Sequence, residues 1–127
     1  MTKKYNVAIV GATGAVGEAM ISILEERKFP VNKLYALASE RSVGKRISFN
    51  GQSIAIEALS DFDFSKVEIG LFSAGASLSA EYAPKAASAG CVVIDNTSQF
   101  RYDDDIPLVV PEVNPGAIAE HKTRGII

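Results

Sequence analysis

The chain has 127 residues, a length at which a single domain buries about two-thirds of its unfolded surface, and its 47% hydrophobic and 22% charged residues are ordinary for a folded domain. The 13 basic and 15 acidic residues leave a net charge of −2, without the basic excess that nucleic-acid binding as a main task requires. No apolar run approaches the roughly 18 residues of a bilayer crossing and no signal-like stretch opens the chain, so the expectation is a cytoplasmic location with no membrane partner. The single Cys91 and single His121 provide neither an internal disulfide nor a metal-ligand cluster.

Residues 5–10, YNVAIV, form a short apolar run followed by glycine, the pattern of a strand covered on both faces. From residue 15 to about 27, Val16, Ala19, Met20, Ile23 and Leu24 recur at steps of three and four, which predicts an amphipathic helix ending before Pro30. A second strand over 33–38, KLYALA, completes a strand–helix–strand unit whose crossover is right-handed. Asn50-Gly51 between alternating runs in 46–59 is the strongest short hairpin signal, and it predicts an antiparallel hairpin decorating a parallel sheet.

Residues 67–72, VEIGLF, read as another buried strand, and the small residues 73–77 lead to a helix over about 78–89 that Pro84 delays or kinks. Gly90 suits its C-terminal cap, and 91–94, CVVI, make the next strand. Residues 95–105 are polar and loop-like, 108–110 suggest a short strand, and Asn114-Pro115 suits the start of a further helix. The closing Gly125-Ile126-Ile127 looks like the opening of a buried strand. Alternating strands and helices imply an α/β fold: a Rossmann-like, doubly wound, mostly parallel sheet with an antiparallel hairpin insertion.

Between the first strand and the first helix lies Gly11-Ala-Thr-Gly14-Ala-Val-Gly17. Its GxxGxxG spacing departs from the commoner GxGxxG of dinucleotide folds, but the physical demands are the same. Gly11 permits a tight turn, Gly14 lets backbone N–H groups approach a pyrophosphate, and Gly17 lets the helix pack closely on the strand. The helix N-terminus adds partial positive charge and Thr13 a hydroxyl, so the loop is a candidate phosphate site; a purely structural turn is the alternative.

Which dinucleotide it takes is decided after the second strand. NAD-specific folds place an acid there to bind the ribose 2′-hydroxyl, whereas a 2′-phosphate is better served by arginine and hydroxyls. Ser39 stands at the position of the acid, Arg41 offers a charge-assisted fork and Ser42 another donor, which favours NADP. Glu40 weighs against it, because a carboxylate facing the ribose repels a 2′-phosphate. A solvated charged loop with no ligand is the bland reading.

The segments VAIVGATGAVG (7–17), ALASERSVGK (36–45), FSAGASLS (72–79), VVIDNTSQFR (92–101) and VPEVNP (110–115) together resemble the aspartate-semialdehyde dehydrogenases. The resemblance spreads over the whole chain. It implies reduction of 4-phospho-L-aspartate to L-aspartate 4-semialdehyde with NADPH and release of phosphate, serving lysine, methionine and threonine biosynthesis. It also implies cofactor contacts from Thr13, Gly14, Ala15, Val16, Arg41, Ser42, Ala74 and Gly75, and a full-length homodimer or homotetramer. Arg101 matches the arginine that holds the substrate's phosphoryl group, a role a bidentate guanidinium suits; on residues alone it reads as an ion-pair partner of Asp103, Asp104 or Asp105.

Such a reaction needs a thiol nucleophile and a base. Cys91, at the start of an apolar strand, reads as a small buried hydrophobe rather than a catalyst, and His121, on a short polar helix, as a solvated surface group. The resemblance puts an Asn-Pro-Asn-Cys segment, ending in the nucleophilic cysteine, directly after residue 127 and the catalytic histidine in a second domain. The expectation is therefore a truncated NADP-binding domain over 1–127 that holds no catalytic residue, with the catalytic and dimerisation domain absent. N-acetyl-glutamyl-phosphate reductase and a non-catalytic dinucleotide-binding module are the alternatives.

Overall fold

The computed structural model describes residues 4–97, 106 and 125–127. Strand β1 is Tyr5–Val10, helix α1 Ala15–Glu26 and strand β2 Val31–Ala38. Strands β3 (Arg46–Phe49) and β4 (Gln52–Ala58) form the hairpin, followed by β5 (Ile69–Phe72), α2 (Ala76–Ser88) and β6 (Val92–Asp95). The sheet order is β3-β4-β2-β1-β5-β6. Only β3 against β4 is antiparallel, so the sheet is mixed, mostly parallel and Rossmann-like.

The alternation of side chains along β1 divides the core. Ala8 and Val10 face α2, packing with Leu37, Phe72, Ala83, Ala86 and Val93. Val7 and Ile9 face α1, packing with Ile21, Leu34, Ala36, Phe49 and Ile56. All four of these β1 residues are almost completely buried, as expected of a central parallel strand covered on both sides.

The hairpin turn behaves as its sequence requires. Asn50 and Gly51 both have positive φ, 51° and 78°, the two left-handed residues of a two-residue turn whose twist matches its strands. Its placement differs from the expectation: β4 also pairs in parallel with β2, Ala36 against Ile56 through Ala38 against Ala58. The hairpin therefore extends the main sheet instead of decorating it. Ile56 supplies the reason, since it is 3% exposed and belongs to the core beneath α1.

Helix α2 begins at Ala76, earlier than predicted, and runs through Pro84. Proline removes the bond to the carbonyl of Ala80, but both residues are exposed, so water can satisfy that carbonyl. The helix ends on Gly90 at φ 97°. Gly90 N–H donates to Ala87 O and Cys91 N–H to Ala86 O, each at 3.1 Å, the paired bonds of a Schellman motif. The expected loop over 98–105, the strand at 108–110 and the helix from Asn114 fall outside the described residues. Gly125–Ile127 does continue the sheet beyond β6: Ile126 bridges Val93 in parallel, and the Ile127 N–H donates to Val93 O at 2.8 Å. Ile126 is fully buried.

Among the described glycines the closest approach is at Gly17. A Cβ there would stand 2.1 Å from the Gly11 carbonyl oxygen and 3.0 Å from Ala12 Cα, both backbone atoms that cannot swing away. At Gly14, with φ −80°, the same Cβ would lie 3.5 Å from Gly11 O, an ordinary contact. Gly17→Ala is therefore expected to cost about 3 kcal/mol of unfolding free energy and Gly14→Ala under about 1 kcal/mol; urea denaturation of both variants checks the contrast.

Candidate dinucleotide-binding cleft

Strand β1 sends its chain through α1 to β2 on one side, while β5 lies on its other side, so the sheet's topological switch point is at the C-terminal end of β1. Open α/β sheets bind ligands in the crevice at that point. A cleft of about 480 Å³ is found there, lined from five directions. Gly11, Thr13 and Gly14 come from the glycine loop, Ala38, Ser39 and Glu40 from the end of β2, and Leu59 and Ser60 from the end of β4. Ser73 and Ala74 follow β5, and Leu78 and Tyr82 project from α2.

Backbone hydrogen bonds fix the walls. Gly11 and Ala12 both donate to Leu37 O, at 2.9 and 3.1 Å, which draws the glycine loop against the end of β2. Ser73 donates from its backbone N–H and its hydroxyl to Val10 O, at 2.9 and 3.1 Å, which draws the β5 loop in from the other side. Gly11 is where the two loops meet: its φ is 93°, and a Cβ would lie 3.0 Å from both Ala74 N and Ser73 Oγ. A side chain is excluded there on conformational and steric grounds together.

Two helices start at this crevice. Gly14 caps α1 and Gly75 caps α2, and neither helix has a side-chain hydrogen bond at its cap. The orphan amides of both first turns are thus left to solvent or to an anion, with the partial positive charge of each helix end behind them. The fit to a dinucleotide rests on this arrangement: Gly14 is exposed, and its Cβ position meets only an ordinary contact, so phosphate oxygens can reach the backbone.

Of the residues proposed from sequence, the structure brings Gly11, Thr13, Gly14, Ser39 and Ala74 together in the cleft lining. Ala15 and Val16 form the exposed first turn of α1 beside it, and Gly75 the exposed cap of α2. Arg41 and Ser42 are the next two residues after the lining, on the 3-10 turn Glu40–Ser42 that Ser42 N–H closes on Ser39 O at 2.9 Å. Arg101 and His121 lie outside the described residues. Sequence reasoning missed Leu59, Ser60, Leu78 and Tyr82. The i, i+4 spacing of Leu78 and Tyr82 was the available signal for one wall. The Tyr82 phenol is pushed above its ordinary value by a hydrogen bond with Glu81, by burial and by the charges of Glu81 and Asp61, and Lys85 Nζ lies 5.1 Å from its ring centroid.

The loop after β6 is tied to α2 through a carboxylate. Ser79, 1% exposed, donates to Asp95 Oδ1 at 3.0 Å. Thr97 donates its backbone N–H to the same oxygen at 2.9 Å and its hydroxyl to Asp95 Oδ2 at 3.0 Å. Asp95 thereby ties the turn through Thr97 to Ser79 of α2.

Among the described residues no helix is long and apolar enough to cross a membrane, and no group of three metal-ligating side chains occurs.

The sequence family described as "Semialdehyde dehydrogenase, NAD binding domain" matches residues 6–121. The chain belongs to that family. Among individual relatives, it is 63% identical over all 127 residues to aspartate-semialdehyde dehydrogenase 2 of Vibrio cholerae serotype O1, of which it spans 38%. The crystal structure of the Vibrio cholerae aspartate semialdehyde dehydrogenase II complexed with ASA superposes with a TM-score of 0.97, covering 98% of this chain and 41% of that one. A Candida albicans aspartate semialdehyde dehydrogenase with NADP is 28% identical, with a TM-score of 0.74 over 91% of this chain and 36% of that one. The chain thus spans about two-fifths of the length of these relatives.

Cys91, the only cysteine in the sequence, is 2% exposed. It sits in the core against α2, and burial pushes its thiol up from 9.0 to about 12. A group held neutral in this way favours the folded chain fully below pH 9, and that contribution is lost as the pH rises from 9 towards 12. Native chain is expected to resist iodoacetamide at pH 8 and to alkylate quickly in urea, as read by intact mass. Replacing Cys91 with alanine should flatten part of the fall in stability between pH 9 and 12.

Proposed function

We propose that residues 1–127 form the NADP-binding domain of an aspartate-semialdehyde dehydrogenase that reduces 4-phospho-L-aspartate to L-aspartate 4-semialdehyde with release of phosphate. The observation that carries this reading is the switch-point cleft with its two glycine-capped helix ends. The 63% identity to the Vibrio cholerae enzyme supports the choice of substrate. In this reading the first-turn amides of α1 and the Thr13 hydroxyl bind the pyrophosphate, and Ser39, Arg41 and Ser42 hold the adenosine end with its 2′-phosphate. Ala74 and Gly75 lie near the bound cofactor. NADPH, when bound, supplies the hydride.

Arg101 holds the acyl phosphate, where a fixed guanidinium can neutralise a dianionic leaving group. The nucleophilic thiol is not Cys91, whose sulfur is buried and kept protonated, so the whole enzyme takes its thiol from sequence outside these 127 residues. The reaction belongs to the cytoplasmic synthesis of lysine, methionine and threonine, in a homodimer or homotetramer.

Two measurements test the reading. The full-length protein is expected to reduce NADP with L-aspartate 4-semialdehyde only when phosphate is present, with Arg101→Ala raising the KM for phosphate by at least about tenfold. Preference for N-acetyl-glutamate semialdehyde would reassign it to the related acyl-phosphate reductase, and binding without turnover on either substrate would make it a dinucleotide-binding module. Turnover by residues 1–127 alone would overturn the exclusion of Cys91.

A further inference from the structure

The buried stripe of α2 consists of Ser79, Ala83 and Ala86, which share the helix face that packs against the sheet. Ser79 is the only buried polar residue among those described, at 1% exposed. An alanine would fill the same space and favour the helix more, so the hydroxyl is accounted for by its bond, from Ser79 Oγ to Asp95 Oδ1 at 3.0 Å. Asp95 ends β6, and the turn that follows is held by both neighbouring strands and by α2. Asp95 N–H donates to Ile127 O and Asn96 N–H to Phe72 O, both at 2.9 Å, while Ser79 holds the carboxylate from the helix. The bonds from Thr97 to the Asp95 oxygens are internal to the turn. Without Ser79 the turn keeps those bonds and loses its anchor to α2.

Strand order places this turn relative to a dinucleotide. With the pyrophosphate at the glycine loop after β1 and the adenosine at the end of β2, the reactive half extends the other way, past β5 towards β6. The turn 95–97 follows β6 at the same edge of the sheet, on the side where a substrate meets the cofactor. We propose that Ser79 is a positioning residue for the substrate: through Asp95 it fixes the turn 95–97 against the helix whose cap, Gly75, lies near the cofactor. The proposal rests on the reading of the cleft as the NADP site of an acyl-phosphate reductase. Ser79 N–H bonds to Gly75 O at 3.1 Å, so the residue that grips the carboxylate is also tied to the cap. Being buried, Ser79 does not touch either ligand. It acts through the spacing of the two walls, to which a transfer between two bound molecules is sensitive.

The test compares full-length wild type with Ser79→Ala and with Ala83→Gly, a control that weakens the same buried stripe without touching Asp95. Ser79→Ala is expected to leave the dissociation constant of NADPH within about twofold, by fluorescence titration, and to raise the KM of phosphate or of L-aspartate 4-semialdehyde by about tenfold. Ala83→Gly should lower the melting temperature and leave both KM values unchanged. Unchanged KM values in Ser79→Ala, or a rise that Ala83→Gly reproduces, overturn the positioning role and leave the cleft reading standing. A dissociation constant for NADPH that shifts as far as the KM overturns it as well. Wild type without phosphate-dependent turnover overturns the underlying reading and the proposal with it.

Discussion

The contact between the Gly11 carbonyl and Gly17 is the constraint from which the rest of the site follows. A helix can begin this close to a strand only if the residue one turn in has no side chain, and the 2.1 Å that a Cβ would leave admits no other residue without backbone movement. Seating α1 this way holds its first amides over the end of β1. It also leaves Gly11 in a left-handed conformation at φ 93°, where it touches the β5 loop at Ala74 and Ser73. One close approach thus joins three elements, and the crevice is the space they leave.

Around that junction the parallel sheet supplies direction. Parallel strands bring the C-terminal ends of β1, β2, β4 and β5 to one edge, and the helices that follow β1 and β5 start there with their positive ends towards the crevice. Two glycine caps without side-chain partners leave the first-turn amides unbonded by any cap side chain, which suits a ligand carrying several negative charges. Glu40 is the acidic exception on this rim. On the far side, the Ser79–Asp95–Thr97 bonds connect the helix that forms one wall to the residues directly after β6.

The buried thiol shows how local and tertiary demands combine. Cys91 follows the capping glycine of α2 and closes the Schellman motif on Ala86, a position where an apolar side chain packs back on the helix. Its sulfur is therefore enclosed by the structure that ends the helix, and desolvation alone raises its pKa. The sequence already pointed this way, because a cysteine that opens an apolar strand just after a capping glycine reads as a small buried hydrophobe.

Much of the architecture was written locally. The limits of β1, the body of α1, the Asn50-Gly51 turn and the Gly90 cap depend on side-chain period and on which residues tolerate positive φ, and both can be read from neighbours in the chain. The glycine loop was legible for the same reason, and so were Thr13, Gly14 and Ser39 as candidates, with the family resemblance adding Ala74 in the lining and residues that lie on the rim. Tertiary structure alone decided that β4 would join β2 in parallel, because strand partners are chosen by burial across the sheet, here at Ile56, and not by the hairpin that precedes them. It also decided that Leu59, Ser60, Leu78 and Tyr82 would line the same cleft as the glycine loop. A cleft wall is assembled from residues distant in sequence, so no local pattern encodes either outcome.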